Sequence, residues 1–358
     1  MIKYLGSKRA LTGVLGALAE GSGARTAVDL FTGTTRVAQE FKRRGLIVTA
    51  ADLASYSEVL ARCYIATDGT TVDLDRLDAL LAELDALPGV RGYVTETFCE
   101  RARYFQPHNG MRIDAIRDRL VGLADDPLYP VLLTALMEAA DRVDSTTGQH
   151  MAYLKSWAAR SFKPLHLQRP RLLAGPGSAV RGDAREVVRA LPPCDLIYLD
   201  PPYNQHRYFG YYHIWETLVR WDAPEHYGVA CKRADAREAV NSSPFNSRRH
   251  IASALVEVIG QARAEVVVVS YNDESWIAPE QIVSWLRDAG HASVEQLAFD
   301  SRRYIGAQIG IHSPSGTKVG TVSHTRNTEY VFVAGSRDRV EGALAQVERA
   351  RASTGSSA

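Results

Sequence analysis

A chain of 358 residues, 46% hydrophobic and 23% charged, can bury a sizeable core and is not a disordered or fibrous sequence. Its formal net charge of +1 excludes a protein coated in positive charge, so any contact with a polyanion must use local basic stripes. No apolar run approaches bilayer length, Met1-Ile2-Lys3-Tyr4 lacks a signal-peptide pattern, and Cys63, Cys99, Cys194 and Cys231 form no C-x-x-C pair, which together predict a cytoplasmic protein without a structural zinc site.

In chain order, the first apolar run is Ala27-Val28-Asp29-Leu30-Phe31, a strand that passes through the turn Thr32-Gly33-Thr34-Thr35 into a helical pattern over Thr35 to Arg44. Gly45 caps that helix, and Leu46 to Ala50 reads as a second strand followed by Asp52. Strand–helix alternation predicts an α/β fold with a mostly parallel sheet covered on both faces. The alternation stops over 55–176, where Leu74, Leu77, Leu80, Leu81, Leu84 and Leu87 form a helical stripe and Val131 to Val143 reads as a buried helix. This region is expected to be a helical insertion, with the sheet domain formed by 1–54 and 177–345.

Charge is segregated along the chain. Residues 71–87 hold five acids against Arg76 alone, whereas 151–185 hold seven bases against Asp183 alone. After Gly175-Pro176-Gly177-Ser178 the sheet pattern resumes, with Gly182-Asp183, a short helix Ala184 to Ala190, and a strand Asp195 to Leu199. Trp221 to His250 mixes Gly, Pro, Asn and Ser with bases, and its 222–250 core is expected to be a mobile loop. A strand Glu265 to Ser270, a helix Glu280 to Ala289, a hairpin of Ile305 to Gly310 with Lys318 to Ser323, and a strand Glu329 to Val333 follow. The Ser/Ala-rich tail, 346–358, is expected to be disordered.

Asp200-Pro201-Pro202-Tyr203 directly follows the apolar strand Leu196-Ile197-Tyr198-Leu199. Proline cannot donate to a sheet ladder, so the strand must stop there. It leaves a carboxylate, stiff carbonyls and an aromatic ring at the carboxyl edge, where open α/β sheets bind ligands. Two rigid acceptors beside a stacking ring suit an exocyclic amino group on a flat heterocycle. The turn after the first strand has no G-x-G-x-x-G, which excludes the usual dinucleotide fingerprint. Asp52 is placed either to bind ribose hydroxyls or to cap a helix, and Asp183 either to accept from an adenine amino group or to start the following helix.

Taken together, Lys3-Tyr4-Leu5-Gly6-Ser7-Lys8, Asp29 to Gly33, Gly182-Asp183 and Asp200 to Tyr203 resemble, in kind and order, the Dam-type (alpha-group) DNA adenine-N6 methyltransferases. Gly148 to Trp157 and His206 to Trp221 look closest to the type IIS restriction–modification branch. The resemblance implies a class I S-adenosylmethionine-dependent methyltransferase sheet of seven strands, mostly parallel, with a helical insertion domain. It implies S-adenosyl-L-methionine as the methyl donor and no metal. Tyr4 and Lys8 would then serve the methionine end of the donor, Asp29, Phe31 and Gly33 would line it, Asp52 would hold the ribose and Asp183 the adenine amino group. Asp200, Pro201, Pro202 and Tyr203 would form the catalytic tetrapeptide acting on a flipped-out adenine.

Double-stranded DNA is the implied partner, with a cognate restriction endonuclease as a second; no membrane is expected, and the oligomeric state stays open. The insertion and the 222–250 loop would read the target. Lys155, Lys163, Arg169, His206, Arg207, Lys232 and Arg233 are the expected nucleic-acid contacts. The same acceptor geometry also suits RNA adenine or cytosine N4, and a catalytically inert nucleic-acid-binding module is the alternative of another class. In one respect the chain departs from the family turn F-x-G-x-G: its last Gly is Thr35. Because Thr adopts positive φ only at a cost, the loop is expected to close differently.

Overall fold

The computed structural model describes residues 2–4, 8–203, 205, 207–238, 241–302 and 326–355. The expected hairpin over 305–323 and the expected contact His206 lie outside these residues. The strands are β1 (Thr26–Asp29), β2 (Ile47–Asp52), β3 (Gly177–Arg181), β4 (Cys194–Leu199), β5 (His226–Tyr227), β6 (Lys232–Arg233), β7 (Ala264–Asn272), β8 (Ser293–Arg302) and β9 (Arg326–Gly335). All but β5 and β6 form one seven-stranded sheet in the order β3-β2-β1-β4-β7-β9-β8. The pairs from β3 through β7 are parallel, and β9 is inserted antiparallel between β7 and β8. This is the class I methyltransferase arrangement.

The first helices are α1 (Thr12–Gly21), α2 (Arg36–Arg43) and α3 (Ser55–Ala61). The insertion adds α4 (Leu74–Asp85), α5 (Pro107–Val121) and α6 (Tyr129–Val143), and α7 (Ala184–Ala190) follows β3. After β4 come α8 (Tyr208–Tyr211) and α9 (His213–Arg220), then α10 (Ile251–Gln261), α11 (Pro279–Asp288) and α12 (Arg337–Gly355).

Alternation along the strands divides the core into two layers. Leu196, Tyr198, Val266, Val268, Val331 and Val333 face a layer shared with α1, α2, α12 and the insertion helices. Ile197, Leu199, Val267, Val269, Phe332 and Ala334 face a second layer under α7, α10 and α11. The insertion therefore has no separate core. Leu77, Leu81 and Leu84 of α4 and most of α6 continue the packing of one sheet face.

For residues 346–355 the tail expectation is corrected by α12, which continues as helix to Gly355; 356–358 lie outside the described residues. Val340, Ala343 and Val347 lie at helical spacing and are buried against α1. The two helices touch backbone to backbone, since a Cβ on Gly342 would lie 2.5 Å from the carbonyl oxygen of Gly21. Ala352 and Ser353 in the last turn are exposed, whereas Ala350 packs against the core. No helix among the described residues is long and apolar enough to cross a membrane.

Candidate active site

Four parallel strands deliver an aspartate to the same sheet edge. Asp29 ends β1, Asp52 ends β2, Asp183 lies just past β3, and Asp200 follows β4. Register makes this unavoidable: Asp29 is level with Ala50 and Tyr198, and Asp52 with Arg181. A cavity of about 370 Å³ opens there, lined among others by Tyr4, Phe31, Gly33, Asp52, Asp183, Asp200 and Pro202.

Each carboxylate has a different environment. Asp29 is buried; one oxygen accepts from Thr32 Oγ1 (3.0 Å) and from the amide of Ala38 in α2 (3.1 Å), while Oδ1 has no partner among the described residues. Burial pushes its pKa up to about 7, against those two hydrogen bonds. Asp52 accepts from the amides of Gly33 (2.9 Å) and Ala54 (3.0 Å), tying the first turn to the end of β2; burial raises it and the backbone bonds oppose the rise. Asp183 caps α7 through the Arg185 amide (2.9 Å) and pairs with the Arg185 side chain. Burial lifts its pKa, but the Arg185 bonds outweigh it and hold the group below the usual carboxylate range. Asp183 thus joins helix-cap and cavity-wall positions in one residue, whereas Asp52 lines the cavity and the N-cap of α3 is Ala54.

Asp200 Oδ1 lies 3.1 Å from the ammonium of Lys8, which also meets Glu329 Oε2 at 3.3 Å. Burial and the Glu329 charge raise Asp200 to about 6, with Lys8 opposing. Tyr203 stands edge-on to Tyr271 at 6.1 Å, with the Lys8 ammonium 5.7 Å from its ring centroid. Lys8 is therefore engaged by the two carboxylates of Asp200 and Glu329 rather than lining the cavity beside Tyr4. Tyr4 does line it, stacked on Tyr212 (4.6 Å) and Tyr208 (5.4 Å). The segment is pinned by Lys3, whose ammonium holds Asp144 at the end of α6 at 2.9 Å.

The turn closes with Thr35 at φ 63°, in the left-handed conformation that costs Thr most. Its hydroxyl donates to the Thr34 carbonyl (2.7 Å) and accepts from Gln39 Nε2 (2.8 Å), which offsets the cost of the left-handed conformation. Gly33 is also left-handed, and a Cβ there would come within 3.1 Å of the Tyr4 ring.

The described residues of the 222–250 segment include a short packed hairpin and form a flap beside the cavity. Its hairpin of β5 and β6 is anchored by Arg233, which is 1% exposed and bonds Asp222 (2.6 and 2.7 Å) and Asp235 (2.8 and 3.0 Å). This corrects the placement of Arg233 on a nucleic-acid face, because both arms of its guanidinium are spent inside. Beyond it, Asp235, Asn241 and Phe245 line the cavity, and Phe245 stands edge-on to Phe31 at 5.0 Å. Lys155 and Lys163 are exposed, Lys232 is half-buried in β6, and Arg207 lines the cavity mouth. Arg169 is exposed but paired with Asp78 of α4 at 2.9 Å, so the basic stripe is partly neutralised by the acidic one.

Three residues of the site carry no local sequence signal. Glu329 arrives on β9 from the far end of the chain. Glu216 of α9 lines the cavity and accepts from the Ser55 amide (3.1 Å) at the start of α3, and Phe245 comes from the flap.

The walls fit S-adenosylmethionine. Phe31 and Phe245 offer an apolar flank for a flat base, Asp183 and Asp52 offer acceptors for an amino group and hydroxyls, and Gly33 keeps the floor free of a side chain.

Residues 4–285 match the family model "D12 class N6 adenine-specific DNA methyltransferase". Type II methyltransferase M.NlaIII of Neisseria lactamica is 29% identical over 298 residues, covering 78% of this chain and 86% of that protein. Modification methylase StsI of Streptococcus sanguinis is 26% identical across 80% of this chain, and Type II methyltransferase M.FokI of Planomicrobium okeanokoites 28% across 75%. The matches span 46% and 43% of those two longer proteins. Every residue that lines the cavity falls inside the matched segment, and the chain belongs to the D12 class N6 adenine-specific DNA methyltransferases.

Proposed function

We propose that this chain methylates the N6 amino group of an adenine turned out of duplex DNA at a defined site, as the modification activity of a type II restriction–modification system of the Dam-type order. The observation that carries the reading is Asp200 on the same cavity as Gly33, Asp52 and Asp183. S-adenosylmethionine supplies, when bound, an electrophilic methyl group. Phe31, Gly33, Asp52 and Asp183 would hold it.

The rest is the work of the chain's own residues. An aryl amine is a poor nucleophile because its lone pair is delocalised into the ring. The Asp200 carboxylate and the Pro201 carbonyl would accept its two N–H bonds, fixing the nitrogen and favouring a pyramidal geometry. Asp200 also stabilises the positive charge that develops on that nitrogen, and Tyr203 offers a ring face to the base. Extrusion of the base costs about a few kcal/mol, which contacts from Lys155, Lys163, Arg207 and Lys232 to the duplex would offset. The M.NlaIII, StsI and M.FokI relatives support the modification setting by their names.

The test is transfer of labelled methyl to duplex DNA, followed by digestion to nucleosides. Label in N6-methyladenine is the expected result. Label in cytosine or only in RNA, or none at all, overturns it.

A further inference from the structure

Lys8 is 8% exposed, and its ammonium faces Asp200 and Glu329 together, at 3.1 and 3.3 Å. Glu329 reaches this point because β9 runs against the strands beside it, level with Asn272 at the end of β7. It lies beyond residues 4–285, the segment shared with the family model. One buried ammonium between two carboxylates cannot neutralise both. If Glu329 were uncharged, Lys8 would donate to Asp200 alone, and a carboxylate held in a tight ion pair accepts further N–H bonds less well.

We propose that Glu329 is a positioning residue that shares Lys8 with Asp200 and so leaves the Asp200 carboxylate free to accept the amino group of the target base. The proposal rests on the role given to Asp200 above. The groups facing Asp200 come from every neighbouring element: Lys8 from the amino-terminal segment, Asp29 from β1, Tyr198 from β4, Tyr203 and Tyr208 from the chain that follows, and Glu329 from β9. Burial raises Asp200 first, Glu329 adds to the rise, and Lys8 opposes both. Removing the Glu329 charge therefore acts twice in one direction. It deletes a like charge and lets Lys8 move wholly onto Asp200, so the Asp200 midpoint must fall.

The experiment uses the full-length protein and the variants Glu329→Gln, Glu329→Asp and Lys8→Met. The carboxyl carbon resonance of Asp200, assigned by its loss in Asp200→Asn, is followed against pH, and kcat and KM are measured on duplex DNA. In Glu329→Gln the midpoint should drop clearly and the acid limb of kcat should move with it to lower pH. At neutral pH kcat should fall about tenfold while KM for DNA and for the donor stays within about twofold. Glu329→Asp should restore both toward wild type. Lys8→Met should move the midpoint the other way, upward, which keeps the test decisive should Glu329→Gln not fold. An Asp200 midpoint that stays put or rises in folded Glu329→Gln, or fails to rise in Lys8→Met, overturns the proposal. A wild-type protein that leaves adenine unmethylated overturns the functional reading instead, and the titration, which needs no turnover, still decides the role of Glu329.

Discussion

Thr35 holds a left-handed conformation (φ 63°, ψ 14°) with its side chain fully buried. That conformation costs an L residue about 1–2 kcal/mol, with a β-branched side chain at the upper end. Replacing it with Gly removes the strain but also deletes Oγ1, the acceptor of Gln39 Nε2 at 2.8 Å. Gln39 is 4% exposed, so its orphaned donor would cost about 1–3 kcal/mol. Added freedom of the unfolded chain takes away a further 0.4–1 kcal/mol or so. The sum makes Thr35→Gly destabilising by roughly 1 kcal/mol. In a Gln39→Leu background no donor is stranded, and the same change should be neutral or stabilising by up to about 1 kcal/mol. Urea unfolding of the four proteins, compared at unchanged m, reads the difference. A Thr35→Gly protein more stable than wild type with Gln39 intact, or an equal loss in both backgrounds, would refute the idea that Gln39 compensates the turn.

Asp200→Ala should lower kcat by about two to three orders of magnitude, the usual effect of losing a preorganised charge partner, while calorimetry finds donor affinity largely kept; loss of donor binding would count against the role of Asp200. Asp29 is raised to about 7 when folded and returns to the ordinary carboxylate range when unfolded, so its contribution is complete below that range and is lost as pH rises toward 7. Asp29→Asn keeps an acceptor for Thr32 and Ala38 and should flatten that loss, by ~4 kcal/mol at most; an unchanged pH–stability slope would show that Asp29 ionises without cost. Arg233→Met leaves Asp222 and Asp235 to Arg220 alone, at 3.3 and 3.1 Å, and should destabilise the flap by about 1–3 kcal/mol. Because Asp235 and Asn241 line the cavity, donor affinity should weaken with it, and calorimetry showing unaltered binding would detach the flap from the donor site.

The sheet was legible where its strands are buried on both faces. The runs at β1, β2, β4 and β7 are apolar because helices cover them from either side. The two edge strands left no such trace. β3 is half exposed along its length, with glycine, serine and arginine, and β8 mixes Val294, Leu297 and Phe299 with Glu295, Gln296 and Asp300. An edge strand needs apolar side chains only where it leans on its neighbour. Arg233 misled for a related reason: a basic residue in a polar stretch reads as solvated, and nothing local signals that Asp222 and Asp235 will enclose it. Glu329 was invisible because its meaning depends on β9 threading between two other strands, a long-range fact that no window of sequence contains.

The four aspartates at the sheet edge were legible as acids, but only their backbone surroundings separate their tasks. Asp52 and Asp183 each accept the amide two residues ahead, from Ala54 and Arg185, and Asp29 accepts the amide of Ala38. Such local bonds are the default for an aspartate ahead of a helix. At Asp200 that default is closed, because the residue two ahead is Pro202 and the one between is Pro201, and neither has an N–H to give. The carboxylate that follows β4 thus cannot take the amide bond that Asp52 and Asp183 take. Its described ion-pair partner, Lys8, is itself divided between two acids. The prolines therefore do more than end the strand: they withhold the amide two residues ahead that occupies Asp52 and Asp183, and that acceptor capacity of Asp200 is what the proposed mechanism gives to the amino group of the target base.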